Sequence, residues 1–207
     1  MLYYQIFALL IFAYLIGSIP SAVWIGKIFH NIDVRQHGSG NAGATNTFRV
    51  LGKKAGTVVL LLDVIKGLIA VQLFRFIPSI PINLINYQLL LGVAAVIGHI
   101  FPLFAKFKGG KGVATLLGLM FGIHPLGSLI CLCIFLIVLL ITKYVSVGSM
   151  FAGSCFPILM FFVFEETDNF LPYFGLIVSG LLIFTHKKNI ARLKAGNENK
   201  TYLFGKF

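Results

Sequence analysis

Acidic residues are scarce in this chain. Six Asp and Glu stand against 17 Lys and Arg in 207 residues, and charged side chains make up only 11% of the total. With 58% hydrophobic residues and a mean hydropathy of +0.94, too few charged groups remain to wrap a water-soluble core. The same figures exclude a disordered chain, whose signature is low hydrophobicity. Cysteine is nearly absent. Cys131, Cys133 and Cys155 lie in apolar runs and make neither a CxxC pair nor a zinc-ligand spacing. A positive n-region is missing from the N-terminus, and its apolar stretch is too long for a signal-peptide core, so it reads as a first span. What remains is an all-α integral membrane protein.

A spanning helix needs about 20 apolar residues. Stretches 3–26, 57–74, 87–105, 126–142, 147–164 and 170–185 meet or approach that length. The run Val113–Ile123, which ends at His124-Pro125, would rise only about 16 Å as a helix. Charge decides how to count it. Taken as its own half-span, it leaves four inner segments carrying five, three, one and six of the 17 basic residues, with Glu165, Glu166 and Asp168 outside. Fused into one span over 113–142, it would send the basic tail outside, against the positive-inside rule. The expectation is therefore seven transmembrane helices, N-terminus outside and C-terminus cytoplasmic. They would form one domain over 1–207 with inner loops 27–56, 98–115, 143–149 and 185–198.

Small and polar residues gather in three of those inner segments. In DVRQHGSGNAGATNTFRVLGKKAG (33–56), the run Gly38 to Gly43 matches GxGxxG only formally, because no strand precedes it and Asp63 lies inside an apolar run. What survives is a phosphate cradle. Gly40 and Gly43 let backbone amides approach an anion, Ser39, Asn41, Thr45 and Asn46 supply neutral donors, and Arg49 supplies a planar charged fork. In GHIFPLFAKFKGGKGVAT (98–115), Lys108, Gly109, Gly110 and Lys111 lead into the run from Val113, as an anion site at a helix N-terminus would. It is not a Walker A loop, since Ala105 and Gly112 occupy the positions that motif needs as Gly and Ser or Thr. In THKKNIARLKAGNE (185–198), His186, Asn189 and Arg192 would share one helix face. Asp63 and Lys66 are three apart inside a span and read as a mutually neutralising structural pair. His99 and His124 read as helix-end packing.

The chemistry open to these residues is narrow. The only acids expected on the inner side are Asp33 and Glu198, so a magnesium site is not expected. The chain has no Asp-Gly dipeptide, no HExxH, no GxSxG and no His followed five residues later by Asp. Two phosphate-like anions beside a lipid-facing cavity suit the loops, with no metal and no cofactor called for. Nucleic acid is not an expected partner, because the basic residues sit in short loops without a binding module.

Together the three segments resemble the bacterial acyl-phosphate:glycerol-3-phosphate acyltransferases, the PlsY family. The likeness covers nearly the whole chain: GSIPSA, GSGNAGATNTFR, LLLDVIKG, GHIFPLFAKFKGGKGVAT and HKKNIARLKAGNE in order. The resemblance implies acyl transfer from acyl phosphate to the 1-hydroxyl of glycerol 3-phosphate at the cytoplasmic face of the bacterial inner membrane. It also implies no direct use of acyl-CoA or acyl carrier protein. Ser39 and Arg49 match essential first-motif residues, Lys111 belongs to the motif tied to glycerol 3-phosphate, and His186 and Asn189 match the third motif. Glu198 matches a mainly structural acid, and either Ser146 or Ser149 is expected to line the site. An acyl phosphate is already activated, so direct transfer suffices, without an acyl-enzyme on Ser39. The rival reading is a membrane transporter of an organophosphate or other anion, but its ligands would gather near the midplane rather than at one interface. Neither acyl-chain preference nor oligomeric state is legible.

Overall fold

A computed structural model describes residues 2–77, 84–166 and 170–202. Asp168 of the expected outer acidic cluster and Lys206 of the basic tail lie outside these residues. Among the described residues the regular structure is α-helix with short 3-10 turns, in two compact units, Met1–Ile123 and His124–Phe207.

The first unit opens with α1 (Leu2–Gly17) and α2 (Ser21–His30), which together occupy the stretch expected as one continuous span. They are bent by 41°. The break falls at Ser18-Ile19-Pro20, because Pro20 has no N–H to continue the ladder, and its carbonyl instead starts α2 by accepting from Val23 and Trp24 at 2.9 and 3.0 Å. Next comes α3 (Ala44–Gln72), which begins well before the expected start at 57 and so turns half of the supposed polar loop into helix. Gly52 kinks it with φ 83°, a backbone region that suits glycine. The unit is completed by α4 (Leu84–Ile100) and α5 (Val113–Ile123).

Helix α3 packs on α5, α4 and α2, and α1 packs on α4. The α3–α5 contact is set by missing side chains. A Cβ on Gly118 would run into the Val64 carbonyl, and one on Gly67 into the Thr115 carbonyl, so the two backbones touch where only glycine fits.

The second unit holds α6 (Pro125–Thr142), α7 (Val145–Phe162), α8 (Leu171–Thr185) and α9 (Lys187–Lys194). His124 stops 113–142 from being one helix. Its ring accepts from the Gly127 N–H at 3.0 Å as the N-cap of α6, with Pro125 in the first turn. Helix α7 packs between α6 and α8.

Among the described residues four stretches, Ala44–Phe76, Leu84–Ala105, Pro125–Thr142 and Val145–Phe162, are long and apolar enough to cross a membrane, and the bent α1–α2 pair makes a fifth if it is one span. Burial runs inside out along α3, where Asp63 and Lys66 are buried while Leu61, Ile65 and Ile69 are exposed. Lipid suits that outer face, and water does not.

Gly118→Leu should overpack the α3–α5 contact by about 1–3 kcal/mol. We expect a lower thermal unfolding midpoint in detergent, whereas Gly180→Ala, which would meet nothing within 4 Å, leaves the midpoint in place.

Candidate active site

The first glycine segment is organised by a side chain that reads as a ligand. Asn46, only 1% exposed, donates through Nδ2 to the carbonyls of Val34 at 2.7 Å and His37 at 3.1 Å, and its Oδ1 accepts from the Ser39 N–H at 2.8 Å. Asn46 was expected among the donors to an anion. Both of its N–H groups are instead spent on the loop's own carbonyls, which makes it the internal template of the loop. The Ser39 amide is spent with it, and the Gly40 amide donates to the His37 carbonyl at 3.1 Å. The side chains of Ser39, Asn41, Thr45 and Arg49 are all half-buried. Thr45 and Arg49, four apart on α3, share a face next to its first-turn amides.

Arg35, which the sequence reading passed over, and Asp33 tie this segment down. Arg35 grips Asp33 with two bonds, Nε to Oδ1 at 2.9 Å and Nη2 to Oδ2 at 2.7 Å, and donates through Nη1 to the Ala105 carbonyl at 3.0 Å. It therefore joins the first segment to the second. The Arg35 hydrogen bonds hold the Asp33 carboxyl well below the usual carboxylate range, outweighing the opposing effect of burial.

The second segment folds back on the end of α4. Lys106 and Phe107 take left-handed φ values of 56° and 58°, and the Phe107 N–H reaches the Pro102 carbonyl at 2.9 Å. The Gly109 and Gly110 amides donate to the carbonyls of Ile100 and His99, each at 3.2 Å. These amides were expected to face an anion. The C-terminal carbonyls of α4 claim them, because helix ends leave acceptors that need partners. Gly109 and Gly110 thus form a turn under Lys111, which is half-buried just before α5, while Lys108 is exposed.

Beneath that turn lies a buried polar cluster. Lys66 Nζ stands 2.9 Å from Asp63 Oδ1 and donates to the Ile19 carbonyl at 3.1 Å; Ser21 Oγ donates to Asp63 Oδ1 at 3.0 Å. His99 Nδ1 is 3.6 Å from the same oxygen. His99 is therefore part of a charged network rather than helix-end packing, a role its apolar sequence neighbours hid.

In the second unit the third segment forms around Glu198. Helix α9 ends in a Schellman turn: Gly196, at φ 71°, donates to Leu193, and Asn197 to Arg192. The chain turns back, and the Thr201 N–H reaches the Lys143 carbonyl at 2.7 Å. Glu198 then accepts from Ser146 Oγ at 3.0 Å, Asn189 Nδ2 at 2.6 Å and Arg192 Nε at 2.7 Å. Burial acts to raise the Glu198 carboxyl, but these three bonds win and leave it below its ordinary value. Ser149 donates to Val145 in its own helix, so of the two serines Ser146 joins the cluster. His186 caps α9 with its ring buried and Nδ1 2.8 Å from the Leu182 carbonyl. A carbonyl only accepts, so the Nδ1 that faces Leu182 carries a proton.

The chain that carries these three segments matches known proteins over most of its length. The glycerol-3-phosphate acyltransferase family matches residues 7–196. This chain belongs to that family. It is 44% identical over 220 aligned positions to the glycerol-3-phosphate acyltransferase of Chlorobaculum tepidum, covering 93% of this chain and 95% of the relative. It is 42% identical to that of Chlorobium phaeobacteroides strain BS1, over 98% and 99% of the two chains. The crystal structure of PlsY, an integral membrane glycerol 3-phosphate acyltransferase, in its glycerol 3-phosphate form is 38% identical. It superposes with a TM-score of 0.85 over 97% of this chain and 99% of that one. The lysophosphatidic acid form follows at 36% identity and TM-score 0.82. As a member of the glycerol-3-phosphate acyltransferase family with this likeness to PlsY, the chain is an integral membrane protein, and the transporter reading is set aside.

Two outcomes follow. Glu198→Gln should cut turnover about tenfold, since it weakens charge-assisted bonds to Ser146, Asn189 and Arg192. The sign of the pH effect is fixed: a carboxyl depressed on folding stabilises fully above its ordinary value of 4.5 and loses that contribution as pH falls through its folded value. The unfolding-midpoint gap between wild type and Glu198→Gln should therefore be flat at neutral pH and close in acid, as read by thermal scans in detergent.

Proposed function

We propose that this chain transfers the acyl group of an acyl phosphate to the 1-hydroxyl of sn-glycerol 3-phosphate, giving 1-acylglycerol 3-phosphate (lysophosphatidic acid) and inorganic phosphate. The carrying observation is the family match over residues 7–196 together with the 38% identical PlsY in its glycerol 3-phosphate form. The reading takes 1–207 as one acyltransferase domain, because that match runs through both compact units.

The reaction needs little covalent help. The glycerol hydroxyl oxygen attacks the acyl carbonyl carbon, the bond from that carbon to the phosphate oxygen breaks, and phosphate leaves with its electron pair. Ser39 donates to the acyl-phosphate group, and Arg49 and Lys111 neutralise the anions as charge builds on the leaving phosphate. His186 and Asn189 position glycerol 3-phosphate, while Glu198 holds Asn189 and Arg192. The hydroxyl proton goes either to His186 or to a phosphate oxygen. Ser39 forms no acyl-enzyme. What supports this is the activated donor together with the hydrogen bond from the Ser39 N–H to Asn46 Oδ1, which holds the serine backbone in place.

The topology that suits this chemistry has seven spans, counting α5 and α8 among them, with the N-terminus outside and the C-terminus inside. The site then faces the cytoplasm of the bacterial inner membrane. Charge supports it, because the basic residues gather in segments 27–56, 98–115, 143–149 and the tail.

Purified protein given palmitoyl phosphate and glycerol 3-phosphate should release phosphate and form lysophosphatidic acid. Liposomes that accumulate glycerol 3-phosphate without product would overturn the enzyme reading, and single-cysteine labelling that put positions 39 and 186 on opposite sides would overturn the topology. Arg49→Lys should lower kcat/KM at least about tenfold, because lysine keeps the charge but not the two-pronged fork. Trapping of an acyl group on Ser39 during turnover, read by mass spectrometry, would contradict direct transfer.

A further inference from the structure

Asp63, Lys66 and His99 are 1%, 5% and 6% exposed, and the mechanism above uses none of them. A buried ion pair is a costly way to hold helices together, and apolar side chains of similar volume would pack α2, α3 and α4 at least as tightly. The cluster is also not spread evenly through the core. It lies under one feature, the Gly109-Gly110 turn that carries Lys111.

The contacts run in one direction. Asp63 is fixed by Ser21 Oγ at 3.0 Å and by Lys66 Nζ at 2.9 Å, and Lys66 is itself fixed by the Ile19 carbonyl at 3.1 Å. Asp63 Oδ1 faces His99 Nδ1 at 3.6 Å, outside hydrogen-bond range but near enough for the carboxylate to attract that edge of the buried ring. The opposite ring nitrogen, Nε2, faces Gly110: a Cβ built there would overlap it before any other atom. The backbone of the same histidine accepts from the Gly110 amide at 3.2 Å. Ring and carbonyl thus both bear on one glycine, next in sequence to Lys111.

We propose that His99, oriented by Asp63 and Lys66, is a positioning residue for the glycerol 3-phosphate end of the reaction: it is the floor on which the Gly109-Gly110 turn rests, and it sets where Lys111 meets the phosphate. This rests on the acyltransferase reading above. Removing the floor leaves Lys111 present but misplaced, so glycerol 3-phosphate binding weakens while acyl-phosphate binding does not.

The test uses the full-length protein in detergent, with KM for each substrate and kcat measured for wild type, His99→Ala, His99→Gln and Asp63→Asn. His99→Ala should raise KM for glycerol 3-phosphate about tenfold and change KM for palmitoyl phosphate less than about twofold. His99→Gln, which can again put a polar atom under Gly110, should recover most of the loss. Gly110→Ala provides the coupling: it should be damaging in the wild type, where it strikes the ring, and nearly silent in His99→Ala, where the ring is gone. An unchanged glycerol 3-phosphate KM in His99→Ala, equal rises in both KM values, or additive effects of the two substitutions would each overturn the positioning role. No phosphate release by the wild type would instead sink the acyltransferase reading, and the Gly110–His99 coupling, read by thermal unfolding, would still decide whether the floor contact exists.

Discussion

A carboxylate and an ammonium 2.9 Å apart, both cut off from water, set the terms for the first half of this molecule. Neither Asp63 nor Lys66 would be tolerated there alone, since an unpaired charge in a lipid-facing bundle is expensive. Each therefore recruits neutral help: the carboxylate takes the Ser21 hydroxyl, and the ammonium takes the Ile19 carbonyl at the break before α2. The bend at Ser18-Ile19-Pro20 and the ion pair thus depend on each other. At the break the Ile19 carbonyl accepts from both the Ser21 N–H and the Lys66 ammonium, each at 3.1 Å.

Much of the polar chemistry in the three glycine- and base-rich segments is architecture. Asn46 and Glu198 do the same work in different units. Each is a buried side chain with several hydrogen bonds that collects a loop around itself, Asn46 through the carbonyls of Val34 and His37, Glu198 through Ser146, Asn189 and Arg192. A saturated buried polar group gives its loop one geometry, because any other leaves a donor or acceptor unmade. Fixed donors in turn suit a reaction whose catalysis lies in holding two anions in place.

How much of this was legible in the sequence depended on whether the signal was periodic or local. The apolar runs announced an all-helical membrane chain, and the pairing of Asp63 with Lys66 could be read from their spacing of three. Helix breaks were harder, because Ile19 and its neighbours are as apolar as a span, and only Pro20 marked the interruption. The start of α3 at Ala44 was hidden for the opposite reason: its first turns are polar, so hydropathy assigned them to a loop. Donor allocation could not be read at all. Asn46 and Asn41 look alike in the string, as do the amides of Gly109 and Gly110 beside that of Lys111, and only the folded chain shows which of them α4 and the first loop have already engaged. Arg35 and His99 escaped for a related reason: their partners, Ala105 and Asp63, are 70 and 36 positions away.

The kink at Gly52 separates two tasks carried by one helix. Upstream, Thr45 and Arg49 follow the geometry of the glycine segment; downstream, Asp63 and Lys66 follow the packing of the bundle. A straight rod would couple them, so that any tilt of the membrane-embedded part swung the guanidinium sideways with the leverage of several turns. With the rod broken at a residue that has no side chain to resist rotation, the upper piece can keep its aim while the lower piece settles to the thickness of the surrounding lipid.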